Sequence, residues 1–310
     1  MVEYYSNREY VSNSVLNNLK VSPKYFKLQL DRSNNVETDS MQLGTMVHLA
    51  LLEPDKFIVS NISKPTGLMG VFCDFYLKHK SFETAYELSG YKQSYDTVIK
   101  NYNKEAFEYV REVEENEGKI FLTRDIKYKI DKAVESVLQD RFASKLLLND
   151  LPSYNELEVY WEHEGIKKRA KIDKLIIDGR KAINVDIKTT SNNVFEFPVL
   201  IDSNLPINKR YELKGFMYSY MNYGYHRQQA FYDEAVRYYC KQQNIEIDSV
   251  EHMIIAVQTK NAFDCCVYRF SREWIELGEQ EINELLHSYQ YYTSANFWDY
   301  PMYYTDVVDV

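Results

Sequence analysis

Near residue 150 the apolar pattern changes period, and no other feature restricts the fold as much. From about Lys78 to Asn149 apolar residues recur at three- and four-residue intervals, as in TVIKNYNKEAFEYVREVEE and IDKAVESVLQDRFASKLLL, which is the spacing of amphipathic helices. From Asn155 to Thr190, NELEVYWEHEGIKKRAKIDKLIIDGRKAINVDIKTT alternates with period 2, the spacing of strands. Glu164-Gly165 and Asp178-Gly179 sit where hairpin turns would join three strands, so an antiparallel meander is predicted. Before the switch, Ser12, Asn13 and Ser14 can cap VLNNLK, Ser22-Pro23 opens PKYFKLQLDR, and Gly44-Thr45 starts a third helix over MVHLALLE. After a polar stretch at 191–212, GYHRQQAFYDEAVRYYC has helical periodicity, VEHMIIAVQTK and CCVYRF read as strands, and REWIELGEQEINELLHSYQ closes as an amphipathic helix. The expected class is α/β: a small central mixed sheet flanked by helices, in one domain over 1–310 with a helical subdomain at about 78–149.

Composition removes several alternatives. Apolar residues make up 45% of the 310 positions, enough for a real core. Mean hydropathy is −0.49, and no stretch approaches the roughly 18 consecutive apolar residues of a membrane span. The opening MVEYYSNREYVSNSVLNNLK has no apolar signal region, so cytoplasmic residence is expected. Cys73, Cys240, Cys265 and Cys266 include no C-x-x-C pair; they read as reduced, structural thiols, with spacings wrong for an iron–sulfur cluster. The net charge, 37 − 46 = −9, argues against a general basic coat. Locally the sum differs: residues 166–188 hold eight Lys or Arg against three Asp, 8 − 3 = +5, a stretch that would help a phosphate backbone approach.

The chemistry concentrates in the period-2 segment. AINVDIKTT puts Ile183, Val185 and Ile187 on one strand face and Asn184, Asp186 and Lys188 on the other. One hairpin earlier, Arg169, Lys171 and Asp173 share a face, so a second carboxylate can reach the same spot across the pair. Two acids and a lysine suit a hard divalent cation with an ammonium to orient water, the parts needed for phosphodiester hydrolysis. D-x-K alone is common by chance, and a solvated strand face is the ordinary explanation for it.

The company of that tripeptide weighs more. GTMVHLALLEPDKF (44–57), ELEVYW (156–161), KRAKID (168–173), VDIKTT (185–190) and YHRQQAFY (225–232) form an ordered set. It resembles the PD-(D/E)XK (RecB-like) nuclease superfamily and, more narrowly, the RecE-type phage exodeoxyribonucleases. The closing strands, amphipathic helix and aromatic tail are similar too, whereas residues 189–224 are longer than the family's usual link. Residue by residue, the resemblance implies that His48, Asp173, Asp186 and the backbone carbonyl of Ile187 hold Mg²⁺, with Mn²⁺ as substitute, and that Lys188 acts on the water. Glu156 stands where the family has a strand glutamate, to hold a second metal or orient Lys188, and Glu158 is read as pointing the same way. Gln228 and Tyr232, four apart on one helix face, would contact DNA, with His226 beside them and Arg169 and Lys171 in the basic stretch. The implied function is 5′ to 3′ resection of duplex ends for single-strand annealing recombination in a phage setting, with double-stranded DNA ends, an annealing protein and further copies of the chain as partners. Two rivals stay open: a RecB-like nuclease of CRISPR adaptation or repair with another polarity or an endonucleolytic cut, and a DNA-end or partner-binding module whose nuclease activity is weak or lost.

Overall fold

The alternating segment after residue 150 becomes three neighbouring strands, from one edge to the centre, of a five-stranded sheet. The computed structural model describes residues 7–31, 39–53, 57–59, 62, 64–116, 120–122 and 124–305. Pro54, Asp55 and Lys56 of the GTMVHLALLEPDKF segment lie outside the described residues.

Among the described residues three α-helices come first: α1 (Asn13–Leu16), α2 (Pro23–Asp31) and α3 (Asp39–Leu52). Ser12 Oγ accepts from the Val15 amide at 3.4 Å and Ser22 Oγ from the Tyr25 amide at 3.0 Å, the side-chain caps that their positions predict. α3 begins upstream of the expected start, so Gly44 lies inside the helix.

Residues Leu49–Lys132 form one compact unit. Within it β1 (Phe57–Val59), α4 (Gly67–His79), α5 (Phe82–Ser89), α6 (Tyr95–Glu105), α7 (Phe107–Glu115) and β2 (Ile120–Leu122) follow in order, and α8 (Arg124–Gln139) starts. β1 and β2 pair in parallel. Phe72, Cys73, Val98, Tyr102 and Val110 make a core of its own. This unit begins earlier and ends earlier than the helical span read at 78–149.

Met1–His48 and Ala133–Val310 form the second unit. After α9 (Ala143–Leu147) come β3 (Ser153–His163), β4 (Ile166–Asp178) and β5 (Lys181–Thr190), then β6 (Val199–Leu200), α10 (Ile207–Arg210), β7 (Tyr211–Glu212), α11 (Gly215–Asn222), α12 (Tyr225–Gln242), β8 (Ser249–Gln258), β9 (Cys265–Arg269) and α13 (Arg272–Ala295). The main sheet runs β3-β4-β5-β8-β9. β5 and β8 are parallel and the other pairs antiparallel, which makes the sheet mixed, as expected. The first hairpin turns at Glu164-Gly165; the second turns one residue later than the sequence suggested, at Gly179-Arg180, because Asp178 still pairs with Lys181. Among the described residues no helix is long and apolar enough to cross a membrane.

β5 is the central strand, paired on both edges, and from Ala182 to Ile187 it is buried on both faces. Trp161, Ile172, Phe231, Val236 and Ile282 bury the contact among β3, β4, α12 and α13, each worth about 1.5–3 kcal/mol or more when fully buried. A chain of polar contacts crosses the same layer. Asn184 on β5 meets His252 on β8 at 3.1 Å, His252 meets Asp233 on α12 at 3.1 Å, and Arg237 donates to Asp233 at 2.6 Å. Buried polar groups must be paired to be tolerated, and this pairing ties α12 to the polar face of β5.

Candidate active site

Where β4 and β5 separate, the acids meet. Their ladder runs from Asp178↔Lys181 to Lys174↔Val185 and stops. The next residues in register are Asp173 and Asp186. Beyond them β4 turns to the N-terminal segment instead: Val11 donates to the Lys167 carbonyl at 2.9 Å, and Arg169 donates to that of Val11 at 2.8 Å. The parting leaves the Ile187 amide without a strand partner, and Asp173 Oδ2 accepts from it at 2.8 Å.

The opposite edge of β4 is irregular at the same level. Asn155 pairs with Lys174 and Leu157 with Ile172, yet Glu156 and Asp173 between them form no ladder pair. Glu156 has φ 52°, a left-handed backbone rare for a residue with a side chain. Its effect is a change of face: core-facing positions switch from Tyr154 to Leu157 on β3 and from Ile172 to Leu175 on β4. Glu156 is thereby sent to the site, where it pairs with Lys171. Glu158 stands opposite Lys171 in the ladder, but it is exposed and accepts from Tyr160 Oη at 3.3 Å. Strict alternation of the core-facing positions fails because one residue leaves the β region.

His48 arrives from α3. Gly44, one turn earlier on the same face, has Thr189 Oγ1 only 2.9 Å from where a Cβ would stand. The bare glycine lets the helix lie against the end of β5, and His48 Nε2 then reaches the Ile187 carbonyl at 2.5 Å while Nδ1 stands 3.3 Å from Asp173 Oδ2. Gly44→Ala would gain about 1 kcal/mol of helix propensity but must push the helix off Thr189. We therefore expect Gly44→Ala to lower the melting temperature, since overpacking costs about 1–3 kcal/mol, and Thr189→Ala in that background to restore it. A wild-type melting temperature in the single variant would remove this account of the glycine.

Lys188 Nζ contacts both oxygens of Asp186, at 2.8 and 2.6 Å. Gln228 Nε2 on α12 donates to Asp186 Oδ1 at 3.1 Å. Burial raises the Asp173 and Asp186 carboxyls, each to about 6, against the pull of Lys188. The same burial works against the Lys188 ammonium, but Asp186 and Asp173 outweigh it and hold the lysine protonated well above its usual range. His48 is lowered by burial and by Lys188. The site is thus a largely buried cluster of acids with two held ammoniums, Lys188 on Asp186 and Lys171 on Glu156.

Ligand atoms of His48, Glu156 and Asp173 lie within 4.8 Å of one another. Two carboxylates and an imidazole, with the Ile187 carbonyl beside the imidazole, fit a divalent cation of the Mg²⁺ or Mn²⁺ kind. The four-ligand set read from the sequence is only partly drawn together: Asp186 faces Lys188 and Gln228, and Glu156 stands in the third place.

Other predicted residues fall elsewhere. Tyr232 packs its ring on the core beneath α12. His226 is fully buried and directed at Glu281, 3.2 Å away, so its expected DNA contact is replaced by a helix-to-helix link. Arg169 is 5% exposed, which leaves no surface for a phosphate, and Lys171 is ion-paired to Glu156. The local excess of +5 is largely consumed in the same way: Lys168 is buried against Glu234, Arg180 pairs with Glu246 and Asp248, Lys181 with Glu251, and Lys167 with Glu9. Sequence-distant acids neutralise what looked like a basic approach. Tyr225 is the residue the sequence reading passed over. Lys188 Nζ lies 4.9 Å from its ring centroid, a cation–π contact that adds to the hold of Asp186 on the ammonium; its only signal was its place three residues before Gln228.

The geometry agrees with comparison. Among solved structures, the "Putative exonuclease" of Eubacterium rectale aligns with 99% of this chain and 93% of its own at TM-score 0.53 and 12% identity, a likeness of fold. The structure of SSO0001 aligns with 72% of this chain and 87% of its own, at 12% identity and a TM-score of 0.26 that carries no argument. No curated protein sequence matches. The family profile described as "PDDEXK-like domain of unknown function (DUF3799)" matches residues 12–301, and the chain belongs to that family.

Proposed function

We propose that the chain is a metal-dependent DNA exonuclease that hydrolyses phosphodiester bonds at duplex ends. One observation carries the reading: His48, Glu156 and Asp173 gather within 4.8 Å at the point where the strands part, next to the Asp186–Lys188 pair. A bound Mg²⁺ or Mn²⁺ would polarise a phosphate oxygen and lower the pKa of an attacking water. Lys188 presents a fixed ammonium to that water or to the charge developing on the phosphate. Asp186 and Tyr225 fix the ammonium, and Gln228 fixes Asp186.

The finer reading is 5′ to 3′ resection that leaves single strands for annealing recombination, with duplex ends as substrate, an annealing protein as partner and self-association of the chain. It is supported by the RecE-like order of motifs. Duplex labelled at 5′ or 3′ ends, run beside covalently closed circles with Mg²⁺, tests it. Early release of the 5′ label with intact circles is expected. Early 3′ release would reverse the polarity, nicked circles would favour a RecB-like endonuclease of adaptation or repair, and binding without cleavage would favour the end-binding module.

A further inference from the structure

The segment that leaves the catalytic strand builds a second feature. β5 ends at Thr190, whose carbonyl accepts from the Thr259 amide at 3.0 Å and whose Oγ1 accepts from the Asn192 amide at 3.0 Å. Asn192 Nδ2 then donates to Ser219 Oγ at 2.8 Å and to the Gly215 carbonyl at 3.3 Å. The Asn193 carbonyl accepts from the Phe216 amide at 3.2 Å. Gly215 has φ 50°, and a Cβ there would fall 2.3 Å from the Asn193 carbonyl oxygen and 2.4 Å from that of Glu196. Residues 192–196 are therefore clamped on the start of α11, and only glycine closes the clamp.

Above the clamp opens a pocket of about 280 Å³ whose lining includes Asn192, Asn193, Glu196, Lys214 and Tyr218. That is the lower end of the range for small-ligand sites, room for one ring system. Tyr218 of the lining is 59% exposed, and Phe195 and Phe197, the chain neighbours of Glu196, are 52% and 55% exposed. Exposed apolar surface of this kind marks contact sites. The polar groups are of matching kinds. Glu196 and the asparagine side-chain amides can meet the exocyclic amino groups of bases, and Lys214, whose ion partner Glu212 is 3.5 Å away, can meet a phosphate. Four residues of chain separate Lys188 from Asn192, at most ~13 Å.

We propose that this pocket is a subsite for one unpaired base of single-stranded DNA, stacked on Tyr218 with its phosphate toward Lys214, a few nucleotides from the catalytic centre. A paired base is held in its stack and does not expose a face to such a pocket, so the subsite selects a single strand. It deepens the nuclease reading, from which it takes DNA as the ligand.

The test is fluorescence anisotropy of labelled single-stranded dodecamers of dA, dC and dT with the full chain in EDTA, where no hydrolysis interferes. Tyr218→Ala should weaken binding about tenfold, the usual loss of one stacked base, with an unchanged melting temperature because the ring is exposed. Tyr218→Phe should bind as wild type, and Lys214→Ala should lower the salt dependence of binding by about one ion. Wild-type affinity in Tyr218→Ala, or no dodecamer binding by wild type, overturns the subsite. Hydrolysis of end-labelled duplex in Mg²⁺ is followed in parallel. Cleavage by wild type with Tyr218-independent binding overturns the subsite alone; Tyr218-dependent binding without any cleavage supports the subsite and overturns the nuclease reading alone.

Discussion

EDTA should abolish hydrolysis of linear duplex DNA by this chain, Mg²⁺ or Mn²⁺ should restore it, and Ca²⁺ should not. The reason lies in the charge of the site. Glu156, Asp173 and Asp186 converge where burial already pushes the two aspartates to about 6, and Lys188 is the one ammonium in contact with Asp186. Lys171 on Glu156 and Lys188 on Asp186 leave one of the three acids without an ammonium, and a divalent cation would be drawn to that remaining charge. Ca²⁺ also takes oxygen ligands, but with longer bonds and looser geometry, so it binds without holding the phosphate and water in line. The measurement is release of end label against metal concentration, and undiminished hydrolysis in chelator would remove the metal mechanism altogether.

Lys188→Ala should lower the hydrolysis rate about 10²-fold or more, the scale of removing one preorganised electrostatic group. DNA binding should survive. The expected loss is confined to the chemical step because Lys188 is held in the site by the Asp186 carboxylate and the Tyr225 ring. Breaking a buried pair leaves an unpaired acid and is destabilising, so thermal melting by circular dichroism accompanies the rate, and Lys188→Met, which keeps the length of the side chain, is measured beside it. The role assigned to Lys188 is wrong if either folded variant degrades DNA at the wild-type rate.

The elements that sequence reading located best are those in which pattern and partner agree. The Ser12 and Ser22 caps and the three consecutive strands each depend on residues within a few positions, and all are present. Asp173, Asp186, Lys188 and His48 were legible as a set because their motifs stand in a recognisable order; the fold joins His48 to Asp173 and Lys188 to Asp186, and puts Glu156, not Asp186, in the cluster with the first two. Strict period-2 reasoning failed at Glu156, where a single left-handed residue changes which side chains share a face. Charge counting failed for residues 166–188, because Glu9, Glu234, Glu246, Asp248 and Glu251, all distant in sequence, fold back onto those cations. His226 failed for the same reason: its partner Glu281 lies on another helix.

Amino-acid order alone determined what short-range chemistry controls: the switch from helical to strand period, the helix caps, the turn regions and the identity of the acids and lysine at the strand ends. These depend on backbone sterics and on hydrogen bonds between near neighbours, which the local sequence carries in full. Tertiary structure decided the rest. It set β5 at the sheet centre beside a parallel β8, parted β4 from β5 at Asp173 and Asp186, brought Glu156 to His48, and placed Tyr225 against Lys188. Each of those depends on which distant segment covers a face or caps an edge. That choice is made by burial and charge pairing summed over the whole unit, and no window of neighbouring residues contains it.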